Sequence, residues 1–171
     1  MTAVQEDAAD LAAPAVRATE LVRAEAPALF AYFQRRVEVA EDAADLVSET
    51  LVVIWRRIDA LPPDPLEARM WLFGVARRVL STYRRGRRRH HALAERLRAE
   101  LAGSSPSAGS AHPELADALT ALRARDRELI LLVHQDGFTL AEVARLLGGR
   151  PATIRSRYQR ARARLRSELA R

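Results

Sequence analysis

The residues with the clearest chemical meaning lie in Gly137–Arg166, which reads GFTLAEVARLLGGRPATIRSRYQRARARLR. Two stretches with helical apolar spacing flank Gly148 and Gly149, and the second stretch is rich in arginine. A short helix, a glycine turn and a second basic helix form the pattern of a helix-turn-helix, whose second helix enters the DNA major groove. This segment therefore predicts binding to duplex DNA.

Local signals fix the ends of both helices. Thr139 followed by Glu142 predicts a capping box at the start of the first helix. Pro151 suits the first turn of the second helix, although Arg150 stands where a capping Ser or Thr would be stronger. The first turns of such a helix reach base edges and later side chains reach phosphate. We therefore expect base reading from Thr153, Arg155 and Ser156, and phosphate contacts from Arg157 and Arg160.

Three carboxylates form a second candidate site. Asp42, Asp45 and Glu49 are spaced i, i+3, i+7, so they share one face of a predicted helix. Three carboxylates on one face are compatible with a divalent metal site for phosphoryl chemistry, with a solvated polar face, or with a surface that docks another protein. No histidine or further acid completes a metal-ligand pattern.

A third candidate is a basic helix that continues into RRGRRRHH. Arg77, Ser81, Arg84 or Arg85, and Arg88 share one side of it, and three aromatic residues interleave: Trp71, Phe73 and Tyr83. Arginines beside aromatic rings suit single-stranded nucleic acid, because bases stack while arginines follow the phosphates. Core packing is the competing interpretation for Trp71 and Phe73, and a solvated helix end is the competing one for the arginines.

Helices are predicted for every element that carries these residues. Residues 15–39 have helical spacing, and Pro27 is expected to kink or restart that helix. Glu41–Ile58 has an apolar stripe, Leu61–Pro65 is a proline-rich loop, and a third helix follows from Glu67 to about Arg85. The predicted stripe consists of Val47, Leu51, Ile54 and Ile58.

The chain divides at a segment rich in glycine, serine and proline. Gly103–Pro113 has no apolar period and predicts a flexible linker. Four short helices follow it: Leu115–Leu122, Asp126–His134, Leu140–Leu147 and Ala152–Leu169. The sequence thus predicts an all-α protein with two helical domains, 15–98 and 114–171, joined by residues 99–113. Met1–Ala13 is expected to be a frayed tail.

Composition narrows the function classes. Residues 1–60 carry a net charge of −5 and residues 61–171 carry +11, within a total of +6. An acidic first part and a basic second part suggest two different partners, one of them nucleic acid. The absence of cysteine excludes disulfides and thiolate metal sites. No apolar run is long enough to span a membrane, so we expect a cytoplasmic protein.

Two stretches resemble the extracytoplasmic-function (ECF) sigma factors, the two-domain sigma subunits of bacterial RNA polymerase. The first consists of DAADLVSETLVVIWRRI and MWLFGVARRVLSTYRRGRRR, and the second is ALRARDRELILLVHQDGFTLAEVARLLGGRPATIRSRYQRARARLR. The resemblance covers nearly all of residues 21–166. It implies a promoter-selecting subunit that is not itself an enzyme, with no cofactor.

The resemblance also implies partners and residue roles. The first domain is expected to dock on the β′ clamp helices of core RNA polymerase and to capture the −10 promoter element, and the second to read the −35 element and to meet the β flap. An anti-sigma protein is a further candidate partner. The implied residues are Asp42, Asp45 and Glu49 for docking; Ala60–Glu67 with Arg77, Arg78, Ser81, Arg84, Arg85 and Arg88 for the −10 element; and Arg150, Thr153, Arg155, Ser156, Arg157 and Arg160 for the −35 element.

Two other function classes stay open from the residues alone. A stand-alone helix-turn-helix regulator would form a stable dimer on a palindrome. An all-α metal-dependent nucleic-acid enzyme would use Asp42, Asp45 and Glu49, and Asp45→Ala would abolish its magnesium-dependent turnover.

Overall fold

The computed structural model describes the backbone of residues 3–98 and 113–170 and the side chains of residues 13–88 and 114–170. Within these ranges the chain forms seven α-helices and one 3-10 turn, Ile58–Ala60, with no strand. The helices are α1 Ala3–Gln34, α2 Ala40–Arg56, α3 Pro65–Arg98, α4 Pro113–Ala121, α5 Ala124–His134, α6 Leu140–Leu147 and α7 Pro151–Leu169. The predicted all-α fold is confirmed.

The chain divides after residue 106 into two compact helical units. The predicted linker lies outside the described residues, apart from Pro113, which begins α4. No helix in the described ranges is both long and apolar enough to cross a bilayer.

The first unit packs α1, α2 and α3 around an aromatic centre. Tyr32, Phe33 and Phe73 are fully buried. The Tyr32 ring meets Phe33 edge-on at 5.3 Å and Phe73 at 5.6 Å between centroids, an arrangement that aromatic pairs favour. Arg69 on α3 adds an ion pair of 3.2 Å with Glu25 on α1. These contacts fix α1 against α3.

The helix α1 runs continuously through Pro27, so the predicted restart there is wrong. It also begins at Ala3, so the expectation of a frayed tail over Met1–Ala13 is wrong from that residue onward. A proline inside a helix removes one hydrogen bond. Here Ala18 before Pro27 and Leu29 after it are both buried, and this burial on either side of the proline offsets the lost bond.

The helix α2 buries a different stripe from the predicted one. Its buried residues are Ala43, Leu46, Thr50 and Ile54. Only Ile54 belongs to the predicted set, and Val47 is half-buried. Small side chains at Ala43 and Thr50 permit close helix packing, and the Thr50 hydroxyl donates to the Leu46 carbonyl at 2.7 Å. The interior polar group is thereby satisfied.

The helix α3 begins two residues earlier than predicted and ends thirteen residues later. Asp64 caps its start, since its carboxylate accepts from the Glu67 N–H at 2.9 Å. Pro65 occupies the first helical position, where its missing N–H costs nothing. The helix continues through Gly86 to Arg98, beyond the expected end near Arg85.

The second unit packs α4 to α7 around Leu129, Leu132, Phe138 and Val143, which are fully buried. Its helix bounds lie within two residues of those predicted. One contact was not foreseen. Arg127 donates to the Leu119 carbonyl at 2.6 Å and to the Thr120 carbonyl at 2.7 Å, and so caps the end of α4.

Candidate DNA interface and docking face

The turn of the helix-turn-helix has the geometry that the sequence predicts. The Glu142 carboxylate accepts from the Thr139 N–H at 2.7 Å, and the Thr139 hydroxyl accepts from the Glu142 N–H at 3.3 Å. This is a complete capping box. Gly148 ends α6 in the left-handed conformation, with φ of 66°, which a residue with a Cβ adopts only with strain. The predicted signals are confirmed.

The helix α7 separates an apolar face from a basic one. Ile154, Tyr158 and Ala161 are buried against the rest of the unit, whereas Leu169 at the end of the helix is exposed. Five of the six residues expected at the −35 element are exposed: Arg150, Thr153, Arg155, Ser156 and Arg160. The face they form is available to a groove of duplex DNA.

Arg157 does not belong to this exposed set. Its Nε donates to the Asp126 carboxylate at 2.6 Å, and both side chains are largely covered. The pair joins α5 to α7 and fixes the direction of the Arg157 side chain. The phosphate contact expected of Arg157 stays a prediction.

A basic groove runs along the side of α7 that faces Asp126. Its volume is about 400 Å³, and its lining includes Thr153 and the arginines at positions 123, 157, 160 and 164. Asp126 is already paired with Arg157. The other three guanidinium groups leave the groove strongly positive. Arginines in such a groove suit the phosphate oxygens of a nucleic-acid backbone.

His134 and Tyr158 form a second link between α5 and α7. The Tyr158 hydroxyl lies 2.8 Å from His134 Nε2, and the two rings stack at 5.9 Å. The two residues are 24 positions apart along the chain, so helical spacing could not predict the pair. The contact helps to hold the recognition helix.

Gln159 is a candidate reader that sequence reasoning missed. It is exposed and lies one turn beyond Arg155 and Ser156 on the outward side of α7. A glutamine amide pairs with adenine through two hydrogen bonds. Helical spacing from Arg155 and Ser156 is the signal that places Gln159 on this face.

The helix α2 presents two of the three predicted carboxylates to solvent. Asp45 and Glu49 are exposed, whereas Asp42 is half-buried and contacts α3. Two apolar side chains share the exposed side of α2 with Asp45: Val52 is 48% exposed and Trp55 is 45% exposed. Aromatic side chains such as Trp55 are enriched at protein-binding surfaces. Sequence reasoning did not assign Val52 or Trp55.

The metal-site interpretation gains no support from the described part of the chain. Within it, no group of three or more His, Asp or Glu side chains could hold a metal ion. Asp42 instead accepts hydrogen bonds from Tyr83 and Arg87.

The six predicted −10 residues between Arg77 and Arg88 lie on the exposed surface of α3. The loop also expected at the −10 element, Ala60–Glu67, runs from the end of the 3-10 turn into the first turn of α3, and its Leu61 is buried. Arg85 donates to the Ser81 hydroxyl at 3.1 Å and to the Thr82 hydroxyl at 3.0 Å. Arg84 reaches the Arg36 carbonyl at 3.4 Å, and Arg88 reaches the Arg84 carbonyl at 3.3 Å. The exposed basic residues of this surface are Arg77, Arg78, Arg84, Arg85 and Arg88.

The aromatic residues near this basic surface do not lie free for base stacking. Phe73 is buried in the core, and Trp71 packs against the cluster of Ala18, Leu61 and Ala68. The core-packing interpretation of these two rings is correct. Tyr83 is half-buried, and burial raises the pKa of its phenol, as does the hydrogen bond to Asp42, while Arg87 lowers it.

Comparison with known families matches both units. The model described as sigma-70 region 2 matches residues 21–90, and the model described as sigma-70, region 4 matches residues 112–165. The two matches correspond to the three-helix unit and to the unit with the helix-turn-helix.

Named relatives agree over most of the chain. The ECF RNA polymerase sigma factor EcfG of Rhodopseudomonas palustris is 35% identical over 74% of this chain and 70% of its own length. The ECF RNA polymerase sigma factor SigL of Mycobacterium tuberculosis is 31% identical over 84% of each chain. Among solved structures, the sigma factor RpoE of Bartonella quintana, in complex with the anti-sigma factor NepR, matches with a TM-score of 0.67 and 27% identity. That match covers 89% of this chain and 96% of the other.

A helix-turn-helix with an arginine-lined outer face follows a three-helix unit, and both units match sigma-70 regions in that order. The chain belongs to the ECF RNA polymerase sigma factors, the subunits that direct the polymerase to specific promoters.

Proposed function

We propose that this sigma factor divides promoter selection between its two units at the residues described above. Asp45 and Glu49, with the exposed Val52 and Trp55, form the docking face for the β′ clamp helices of core RNA polymerase. Docking through charged and apolar side chains together combines orientation with buried area.

The α3 face captures the −10 element. Arg77, Arg78 and the arginines from Arg84 to Arg88 supply phosphate contacts to single-stranded DNA, and the loop of Ala60–Glu67 receives an extruded base. Extruding a base costs a few kcal/mol. Binding of the extruded base and its phosphates offsets this cost.

The recognition helix α7 reads the −35 element in the major groove. Arg155 and Ser156 contact base edges, together with Thr153 and Gln159, and Arg150 and Arg160 contact phosphate. One backbone strand passes along the basic groove at Arg123 and Arg164. A good bidentate side-chain contact to a base contributes about 1–3 kcal/mol of discrimination.

The chain contributes selection and leaves the chemistry to the polymerase. We propose that it works in the cytoplasm beside that enzyme, with the second unit meeting the β flap. The matched Bartonella sigma factor is bound by an anti-sigma factor, which supports an anti-sigma protein as a further partner here.

One observation carries this proposal. The helix α7 follows an α6 that starts with a complete capping box, and it buries Ile154, Tyr158 and Ala161 while exposing Arg155 and its neighbours. The test is run-off transcription from a genomic library by core polymerase, with and without the chain. New start sites that share −35 and −10 sequences are expected only when the chain is present. An unchanged set of start sites would contradict the proposal.

A further inference from the structure

A polar cluster joins α2 to α3 at the point where the apolar core ends. We call it the α2–α3 clasp and define it as Glu38, Asp42, Tyr83 and Arg87. It contains one of the three carboxylates expected to dock polymerase, and neither the docking face nor the −10 face accounts for it.

The contacts within the clasp are mutual. The Tyr83 hydroxyl donates to Asp42 Oδ2 at 2.5 Å. Arg87 Nη1 donates to the same oxygen at 3.3 Å and to the Tyr83 hydroxyl at 3.0 Å. Arg87 Nη2 donates to the Glu38 carboxylate at 2.9 Å. Three side chains are thus tied to one another, with Glu38 as an exposed fourth member.

On α3, the clasp lies beyond the last buried apolar residues. Val79 and Leu80 are buried, and none of the described side chains of α3 beyond Leu80, up to Arg88, is buried. The basic part of α3 therefore lacks an apolar face of its own to fix its direction. The clasp supplies that direction, and the Arg84 bond to the Arg36 carbonyl adds to it.

The position of the clasp links two proposed surfaces. Asp42 lies in the first turn of α2, one turn before Asp45 of the docking face. Tyr83 and Arg87 alternate with Arg84 and Arg88 of the −10 face. A change in the clasp would alter the angle between the two surfaces without removing a residue from either.

We infer that Asp42, Tyr83 and Arg87 are positioning residues that set the −10 face at a fixed angle to the polymerase-docking helix. Asp42 is accordingly a member of the clasp and not a docking residue. The inference rests on the proposed function, because it assigns an orientation to two surfaces named there.

The test uses the full chain with core polymerase and a promoter found by the run-off experiment. Tyr83→Phe removes the hydroxyl and keeps the ring. We expect its affinity for core polymerase to match the wild type, while promoter opening slows by roughly 2- to 30-fold, the range for a change in coupling between sites. If the Tyr83 hydroxyl only stabilised the fold, core affinity and opening rate would not change differently. Thermal melting serves to show that both proteins are folded at the assay temperature.

A matched control and a double variant sharpen the result. Thr19→Val removes an exposed hydroxyl that donates to the Ala15 carbonyl of its own helix, α1, and it should open the promoter at the wild-type rate. Asp42→Ala combined with Tyr83→Phe should slow opening by less than the product of the two single effects, because both substitutions break the Tyr83–Asp42 contact.

Three results would overturn the inference. Opening by Tyr83→Phe at the wild-type rate would show that the clasp has no positioning role. Equal losses of core affinity and opening rate would show that the clasp acts in docking or in stability. A wild-type chain that neither binds core polymerase nor opens the promoter would overturn the proposed function as well, so the two failures are distinguishable.

Discussion

Arginines that look alike in the sequence divide into two roles in the folded chain. Arg155 is exposed on α7, whereas Arg157 is paired with Asp126 at 2.6 Å. Asp126 is 31 residues away along the chain. Helical spacing therefore could not reveal the pair, although it correctly placed Arg155 on the outer face. Asp42 is the same case, since its partner Tyr83 is 41 residues distant.

We predict that alanine substitutions separate these two roles. Arg155→Ala should weaken initiation that depends on the −35 sequence, with a loss of about 1–3 kcal/mol at one base position, and should leave stability unchanged. Asp126→Ala should lower the free energy of unfolding by about 1 kcal/mol, because the pair is partly covered and partly screened by solvent.

The measurements are run-off transcription across −35 variants and urea denaturation of the free chain. Arg162→Ala, which removes another exposed arginine of α7, is the control for loss of charge. If Arg155→Ala responds equally to every −35 sequence, Arg155 contacts phosphate and does not read a base.

The Tyr83 phenol gives a prediction for alkaline pH. Burial and the Asp42 bond raise its pKa above the ordinary 10.0, so the folded chain holds this proton more tightly than the unfolded chain. The stabilisation is fully present below pH 10 and declines as the pH rises through the raised pKa.

Urea denaturation at about pH 8 and at several values above pH 10 measures this effect. Wild type should lose stability more steeply than Tyr83→Phe over the alkaline range. Parallel curves for the two proteins would show that Tyr83 titrates alike in the folded and unfolded states.

At the scale of elements, the sequence predicted most helices because their boundaries depend on local signals. The capping box, the αL glycine and the first-turn proline place α6 and α7 within a residue of the prediction. The predicted stripe of α2 is wrong because it rests on large aliphatic residues, whereas the small side chains of Ala43 and Thr50 are the ones buried where α2 packs closely. The continuity of α1 through Pro27 depends on burial along its length, which local rules do not include.

Two glycines give opposite expectations at this scale. Gly86 is helical and a Cβ there meets no atom within 4 Å, whereas Gly148 has φ of +66°. Gly86→Ala should raise stability by about 1 kcal/mol through helix propensity. Gly148→Ala should lower it by about 1–2 kcal/mol, because alanine is strained in the left-handed conformation.

Thermal unfolding followed by circular dichroism compares these two variants with wild type. Gly86→Ala should melt at a higher temperature and Gly148→Ala at a lower one. A lower melting temperature for Gly86→Ala would mean that Gly86 is required for something other than helix geometry.

At the scale of the whole molecule, charge and order of the units were visible in the sequence. The acidic first part and the basic remainder correspond to the proposed docking helix and the two proposed DNA faces. The exposed Val52 and Trp55 were not foreseen, because their exposure follows from the register of α2 and not from composition. Two binding modules on one chain increase the overall affinity for DNA only when a partner fixes their spacing.

The most direct test of this account is the affinity of the chain for one promoter duplex, measured with and without core polymerase. The account predicts weak binding with little sequence preference by the chain alone, and specific binding that responds to both −35 and −10 substitutions when polymerase is present. Tight, sequence-specific binding by the isolated chain, unaffected by core polymerase, would contradict it.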